Sequence, residues 1–428
     1  MNHRRILFDD RSEIPRFKQH SRSGSHVTQD NMMTDARIIT ANRAAALAAA
    51  RCRVQVVAAY PITPQTPVTE ALAELVESGE LKAEYLTVES EHSAMAAVIA
   101  ASQMGARVFT ATSANGLLYM HEMLHWAAGS RVPVVMACVN RGVGAPWTIL
   151  NDQQDSISQR DTGWIQLYCR NGQEVLDTII QAYRISEQVY VPIMVCYDGF
   201  VLSHASTPVE IPSQEEVDLY LPPFTGLPEI SVGQHMNVNP LILSEPRQDP
   251  EGNIRPGYMD LRYRLHQDIL AAAEIIDRAD EEFGEISGRR WGGVTWGHRL
   301  SDAEHAIVTM GSLASESTVA ADALRKRGLR VGVLGVRAYR PFPASALQEA
   351  LANVETVTVF EKDISYGYAG ALSCDLRAVL FDSDLRPKVS SFVAGLGGRD
   401  VTPEQIEQTT MEAITGKTSV GWMEIRGE

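Results

Sequence analysis

From about Ile38 onward, short apolar runs rich in β-branched residues alternate with longer stretches of helical periodicity. The apolar runs cover residues 54–59, 107–112, 133–139 and 193–197. Between them the spacing predicts helices over 66–77, 93–104, 116–128 and 173–189. Strands that are apolar almost throughout, separated by helices, predict a parallel sheet covered on both faces. A second alternation begins near Ala303, with strands over 306–310, 331–336, 356–360 and 389–393 and helices over 315–327, 344–351 and 369–380. The last helix carries its own start signal: Thr402 as N-cap, Pro403 at the first position and Gln405 completing a capping box.

The segments around these two units lack such regularity. Residues 1–35 are polar and read as an N-terminal flexible arm. Nine of the twenty prolines fall between Pro208 and Pro256, which disfavours regular structure and marks a connector. One amphipathic helix over 258–283 follows, and then a Gly/Trp-rich loop over 284–297. The expected fold class is α/β, with two doubly wound domains, 36–235 and 303–428, joined through a Pro-rich connector at 236–302.

Composition narrows the function classes. An apolar fraction of 45% in 428 residues is that of an ordinary globular chain with real cores. A net charge of −15 argues against nucleic acid or an anionic membrane as partner. No apolar run approaches the roughly 20 residues of a membrane span, and the N-terminus is too charged for a signal peptide, so cytoplasm is expected. The cysteines (Cys52, Cys138, Cys169, Cys196, Cys374) form no CxxC pair and read as buried thiols rather than cluster ligands.

Five polar clusters interrupt the apolar background between Tyr60 and Trp164, several of them at the rim where α/β sheets build sites. They are Tyr60-Pro61-Ile62-Thr63-Pro64, Glu89-Ser90-Glu91-His92-Ser93-Ala94, Thr112-Ser113-Ala114-Asn115-Gly116-Leu117, Asn140-Arg141-Gly142-Val143-Gly144-Ala145-Pro146 and Arg160-Asp161-Thr162-Gly163-Trp164. Glu91 opens an Ala-rich helix, where a carboxylate either serves the helix dipole, as Glu89 is expected to, or does acid–base work. Arg141 follows a buried strand. Its planar fork serves either a structural carboxylate or a carboxylate ligand. Thr63 sits in a rigid Pro-x-x-Pro loop. The hydroxyls and N–H groups of Thr112 and Ser113 either bind an anion or cap a helix. Arg160–Asp161 reads best as a buried ion pair. No P-loop or GxGxxG follows a strand. Gly395-Leu396-Gly397-Gly398 reads as a tight turn, and Gly367 and Gly370 as close-packing glycines.

In this order the clusters resemble the alpha subunit of the 2-oxoacid:ferredoxin oxidoreductases, thiamine-diphosphate enzymes typified by pyruvate synthase. The resemblance runs from about Ile38 to about Gly416. It implies a pyrimidine-type thiamine domain followed by a transketolase C-terminal-like domain. Through the family's Ser-Glu-x-x-Ala context it gives Glu91 the catalytic role of exchanging a proton with the aminopyrimidine ring. It makes Arg141 and Thr63, with Gly142 and Gly144, the substrate-binding residues, and Ile62, Thr112, Ser113 and Asn115 a cofactor-binding wall. Asn115 departs from the Gln usual in the family. The 151–155 segment and Arg160–Trp164 are expected to rim the substrate pocket.

A magnesium-binding Gly-Asp-Gly…Asn motif is missing. The nearest sequence, Tyr197-Asp198-Gly199, lacks the first glycine and the following Asn. No metal ligand is therefore expected here. The resemblance implies that thiamine diphosphate is shared with a beta subunit that also binds magnesium. It further implies a gamma subunit, a ferredoxin-like iron–sulfur subunit, a flavoprotein subunit where NAD is the acceptor, and CoA and a 2-oxo acid as reactants. Glycines at 142 and 144 favour a wider pocket and a bulky or aromatic substrate, as in the phenylglyoxylate branch. The alternatives are pyruvate with glycines meeting a backbone need, and a non-catalytic scaffold subunit.

Overall fold

The computed structural model describes residues 35–227, 244–248, 252 and 254–425. Residues 1–34 of the expected N-terminal arm, and residues 236–243, 249–251 and 253 of the expected connector, lie outside the described residues. The chain runs β1 (Asp35–Thr40), α1 (Ala41–Arg51), β2 (Val56–Ala59), α2 (Thr66–Glu77), β3 (Glu84–Thr87), α3 (Glu91–Gln103), β4 (Val108–Thr112), α4 (Ala114–Tyr119) and α5 (His121–Gly129). There follow β5 (Val135–Asn140), α6 (Gln154–Ile157), β6 (Ile165–Tyr168), α7 (Gly172–Val189), β7 (Ile193–Asp198), β8 (Ser206–Ile211) and α8 (Gln214–Tyr220). β4, β5 and β7 are buried at every position, because helices cover both faces of the sheet. α1 packs its alanines against α7, whose side chains are buried along most of its length. β1 and β8 pair antiparallel beside this layer.

The second half begins with β9 (Arg247–Gln248), β10 (Ile254–Arg255), α9 (Tyr258–Ser287), β11 (Thr295–His298), β12 (His305–Thr309), α10 (Leu313–Lys326), β13 (Val331–Val336) and β14 (Ala338–Arg340). It ends with α11 (Ala344–Ala350), β15 (Thr356–Glu361), α12 (Ala371–Phe381), β16 (Lys388–Val393), α13 (Pro403–Ile414) and β17 (Val420–Trp422). Among the described residues the sheet orders are β14-β6-β7-β5-β4-β2-β3 and β11-β13-β12-β15-β16-β17. Within these two sheets only the edge strands β14 and β11 run antiparallel to their neighbours. The expected α/β class with parallel sheets is the observed one.

Three local expectations are corrected, and one strand was not foreseen. The helix expected over 116–128 is two, broken at the buried Met120, which ends α4 and begins α5. The loop expected over 284–297 is shorter. α9 continues to Ser287 and stops at Gly288 in left-handed conformation (φ +71°). Its last residues form β11, where Trp296 lies over Gly335. A methyl there would sit 2.1 Å from the indole. The Pro-rich stretch is regular at its start, since β8 and α8 occupy it and Ser213 and Glu216 form a capping box. Finally, β14 leaves its own half and joins the edge of the first sheet against β6. Three residues carry no periodicity from which that crossing could be read. The capping box of Thr402 and Gln405 forms as expected.

The halves are also held by charge. Asp198, at the end of β7, is fully buried and pairs with Lys362 at 2.9 Å. It also accepts hydrogen bonds from the Ser312 hydroxyl and, at 3.4 Å, from Gln153. The one near-match to a magnesium motif is thus an ion-pair anchor. Arg337, also buried, pairs with Glu174 at 3.1 Å. Among the described residues no group of three or more His, Cys, Asp or Glu is placed to hold a metal. No described helix is long and apolar enough to cross a membrane.

Candidate active site

Four of the polar clusters meet at the carboxyl edge of the first sheet. β4 ends at Thr112, and Ser113 leads into α4 through Ala114, held at φ +42°. The hydroxyls of Thr112 and Ser113 are both buried without a hydrogen-bond partner. Ser90 caps α3 by accepting from the Ser93 N–H, which sets Glu91 as the first helical residue, 7% exposed. Glu89 stays on the surface and accepts from the Ser93 hydroxyl at 2.6 Å. Gly116 closes the contact between α4 and Glu91. A Cβ there would lie 2.5 Å from Glu91 Oε1 and 2.8 Å from Thr112 Oγ1. Glu91, Gly116 and the unpartnered Thr112 hydroxyl therefore meet at one polar recess, with the unpartnered Ser113 hydroxyl next in the chain.

Arg141 follows β5 and is 4% exposed. Its Nη1 donates to the Thr63 carbonyl oxygen at 2.5 Å, and its Nε–H is buried without a partner. The Nε/Nη2 edge of a guanidinium is the one that grips a carboxylate with two parallel bonds. Arg107 uses that edge on Glu187, at 2.5 and 2.8 Å. In Arg141 it is left open, with the negative charges of Asp155 and Glu91 nearby to offset the cost of burying the guanidinium. Thr63 thus meets Arg141 through its backbone oxygen, while its side chain is exposed in the turn after β2. The adjoining Ile62 is half-buried in the same turn and accepts from Gln65 and Thr66.

The loop beyond Arg141 is tied back on both sides. Gly142 donates to the Leu150 carbonyl at 2.9 Å, and a Cβ on Gly142 would lie 2.5 Å from Thr148 Cγ2. A side chain at 142 would therefore force Thr148 to shift. Gly144 N–H donates to Asn115 Oδ1 at 3.3 Å, and a Cβ on Gly144 would find its nearest atom, Trp147 Cδ1, at 3.4 Å. Only Gly144 thus leaves usable space. A cleft of about 300 Å³ opens beside it, lined by Leu118, Val143, Gly144, Asp152, Tyr366 and Leu396 among others. Burial, with the Asp155 charge, pushes the Asp152 carboxyl up to about 7. Of the apolar residues of this loop, Val143 lines the cleft, whereas Trp147 and Ile149 do not. Trp147 is exposed and packs on Gly144.

The 151–154 segment joins the second half: Gln153 N–H donates to the Lys362 carbonyl, and Ile364 N–H to Gln154 Oε1 at 3.0 Å. Gly398 N–H reaches the Asn151 carbonyl from a turn in which Gly395, Gly397 and Gly398 all have positive φ. Gly370 is a close-packing glycine against Glu361, but Gly367 is not. Nothing lies within 4 Å of its added Cβ, and its φ of +82° serves the turn. The buried ion pair expected of Arg160 and Asp161 is absent among the described residues, because Asp161 is exposed and Arg160 instead acts on Asp363. Sequence reasoning placed Asp155 only in a rim. It is fully buried and accepts from both the Ala114 and Arg141 N–H groups. A polar run such as Asn-Asp-Gln-Gln-Asp does not say which acid turns inward.

Known proteins match this arrangement in sequence and in fold. Residues 47–277 match the pyruvate flavodoxin/ferredoxin oxidoreductase thiamine-diphosphate-binding family, and residues 303–406 match core domain II of pyruvate:ferredoxin oxidoreductase. The pyruvate synthase subunit PorA of Methanothermobacter thermautotrophicus is 45% identical, over 92% of this chain and 99% of its own. The ketoisovalerate oxidoreductase subunit VorA of Pyrococcus horikoshii is 43% identical, over 87% of this chain and 92% of its own. Among solved structures, a 2-oxoglutarate:ferredoxin oxidoreductase from Magnetococcus marinus superposes with a TM-score of 0.67 at 21% identity. The match covers 89% of this chain and 66% of that longer one. A split-gene transketolase has the same fold at a TM-score of 0.53 and 12% identity, over 89% of this chain and 99% of its own. The chain belongs to the 2-oxoacid:ferredoxin oxidoreductase family, a family of thiamine-diphosphate-dependent oxidoreductases, and aligns along most of its length with the subunits PorA and VorA.

Proposed function

We propose that this chain is the alpha subunit of an enzyme that oxidatively decarboxylates a 2-oxo acid to its acyl-CoA and CO₂. The observation that carries this reading is the open Nε/Nη2 edge of Arg141, buried and steadied by the Thr63 carbonyl. A buried guanidinium edge without a protein acceptor suits a carboxylate that arrives as ligand. The recess formed by Glu91, Thr112, Ser113 and Gly116 fits the aminopyrimidine half of thiamine diphosphate, since it offers one acid and two unpartnered hydroxyls. When bound, that cofactor supplies the nucleophilic carbon and the electron sink for loss of CO₂. Glu91 holds a proton at its carboxylate and exchanges it with the pyrimidine nitrogen. The unpartnered Thr112 and Ser113 hydroxyls would be free to meet the ring, Ile62 would contribute apolar wall, and Asn115, which accepts from the Gly144 N–H, would complete that wall.

We assign the cofactor-facing role to residues 36–235, the connector to 236–302 and a transketolase C-terminal-like domain to 303–428. The diphosphate and magnesium go to a beta subunit. A gamma subunit and an iron–sulfur subunit carry electrons to ferredoxin, or through a flavoprotein to NAD. Free, largely buried thiols suit a reducing cytoplasm. The substrate is a 2-oxo acid larger than pyruvate, whose side chain uses the space at Gly144. The test is reconstitution. The chain co-expressed with a magnesium-motif partner should reduce ferredoxin or a viologen dye with a 2-oxo acid and CoA, whereas the chain alone should bind thiamine diphosphate weakly and turn over nothing. Micromolar cofactor affinity of the isolated chain by calorimetry would refute the shared site.

A further inference from the structure

The Asp155 carboxylate is fully buried on the four-residue helix α6 and touches neither the recess hydroxyls nor the open edge of Arg141. Its Oδ2 accepts from the N–H groups of Ala114 (2.9 Å) and Arg141 (3.1 Å). Its Oδ1 accepts from Asn140 Nδ2 (2.7 Å) and from the Ser156 N–H (2.8 Å). One carboxylate therefore ties the turn that carries Thr112 and Ser113 to the strand end that carries Arg141. All four partners are donors, so a proton on either oxygen would oppose an N–H.

We propose that Asp155 is the positioning residue that holds the cofactor-facing turn and Arg141 in register, and that it does so only as the carboxylate. This rests on the reading of the recess and of Arg141 given above. An ionised acid with four donors binds its partners more tightly than an amide or a neutral acid, because charge-assisted bonds are the stronger ones. Burial raises the Asp155 carboxyl to about 6, against the pull of its hydrogen bonds. The titratable groups facing it are Asp152, Arg141, Cys138 and Tyr168. Burial holds the Cys138 thiol and the Tyr168 hydroxyl neutral, so Asp152 is the group whose titration overlaps in pH.

The experiment compares wild type with Asp155→Asn in the assembled complex. The amide replaces one acceptor by a second donor while keeping the shape. The expected KM for the 2-oxo acid rises on the order of 10- to 100-fold. The acid limb of wild-type kcat/KM near pH 6 should vanish in the variant, a change that a merely structural role does not produce. A variant with wild-type KM and an unchanged acid limb overturns the proposal. Should the variant fail to assemble, hydrogen exchange of wild type decides. The amides of Ala114 and Arg141, corrected for intrinsic rate, should lose protection as pH falls from 7 to 5, and unchanged protection overturns the proposal. That second arm needs no substrate. A complex inactive on every 2-oxo acid would sink the functional reading, while exchange would still judge Asp155.

Discussion

Gly116 and Glu91 are packed so closely that a methyl on the glycine would lie 2.5 Å from the acid's Oε1 and 2.8 Å from its Cγ. Real side chains do not approach so near, so Gly116→Ala must push the Glu91 carboxylate out of the recess or move α4. Helix propensity alone favours Ala over Gly by about 1 kcal/mol, so a small gain in stability would be expected if the site were unimportant. The expected outcome is the reverse in function. Turnover by the assembled complex should fall at least tenfold, while circular dichroism of the chain stays unchanged. Wild-type turnover in Gly116→Ala would show that Glu91 need not stay where it is.

Glu91→Gln keeps the side-chain shape and removes proton exchange. Assembly should survive, and activity should fall on the order of 10²- to 10⁴-fold, the usual worth of a positioned acid–base group. Exchange of the cofactor's thiazolium C–H, followed by NMR, reads the step most directly. An unchanged exchange rate would leave Glu91 as a helix-start carboxylate.

Arg141→Lys replaces a planar fork by a point charge. The ammonium can still reach the Thr63 carbonyl, yet it cannot present two parallel N–H groups to a carboxylate. KM for the 2-oxo acid should rise by a factor corresponding to about 1.5–3 kcal/mol, with kcat changed less. Equal affinity in variant and wild type would place the substrate carboxylate elsewhere.

The residues of the site differ in how well the chain alone announces them. Glu91 was legible because Ser90 and the alanines after it mark a helix start, and a helix start fixes where its first side chain points. Arg141 was legible as a strand-end cation, but its open edge was not, since that depends on Thr63 turning its carbonyl toward it. The contact Thr63 makes with Arg141 is through its backbone oxygen, not through its side chain. A sequence advertises side chains and is silent about carbonyls. Asp155 and β14 were missed for a related reason: both act through long-range contacts that leave no local period. The pair expected at Arg160–Asp161 failed because adjacent residues need not share an environment, and here one faces water.

Burial sets a pH dependence of stability at the carboxyl end of β15 in the second sheet. Glu361 is buried against Gly370, accepts from the Ser373 N–H at 3.2 Å and leaves Oε1 unpartnered. Burial, with the neighbouring Asp363 charge, raises its carboxyl to about 8. A raised carboxyl binds its proton more tightly folded than unfolded. Its contribution is therefore complete below the unfolded value near 4 and is lost as pH rises through 8. His125 and His305, both lowered by burial, oppose this only where an unfolded histidine still titrates, near 6.5. Between pH 7 and 8.5 the chain should lose about 1 kcal/mol through Glu361, seen as a falling Tm. Glu361→Gln should flatten that fall. A Tm that rises over the same interval would mean the acid is already ionised at neutral pH.

Substrate size is the last expectation, and the two loop glycines separate its causes. Gly142 has no room for a methyl, because Thr148 Cγ2 lies 2.5 Å from where its Cβ would sit. Gly144 has room, with its nearest neighbour at 3.4 Å, and it borders the cleft lined by Val143 and Leu396. A methyl added at 144 therefore enters space available to a substrate side chain without straining the loop. The relatives named above divide between pyruvate and ketoisovalerate, so family membership leaves the choice open. If the cleft takes an acyl group larger than methyl, wild type should show a higher kcat/KM for 2-oxoisovalerate or phenylglyoxylate than for pyruvate. Gly144→Ala should then lower that preference about 10-fold or more, the scale at which one methylene is discriminated in an apolar pocket, and leave pyruvate nearly untouched. Gly142→Ala should instead harm every substrate alike, through the loop that carries Arg141. A clear preference of the wild-type complex for pyruvate, with Gly144→Ala indifferent to side-chain size, would return both glycines to a purely backbone role.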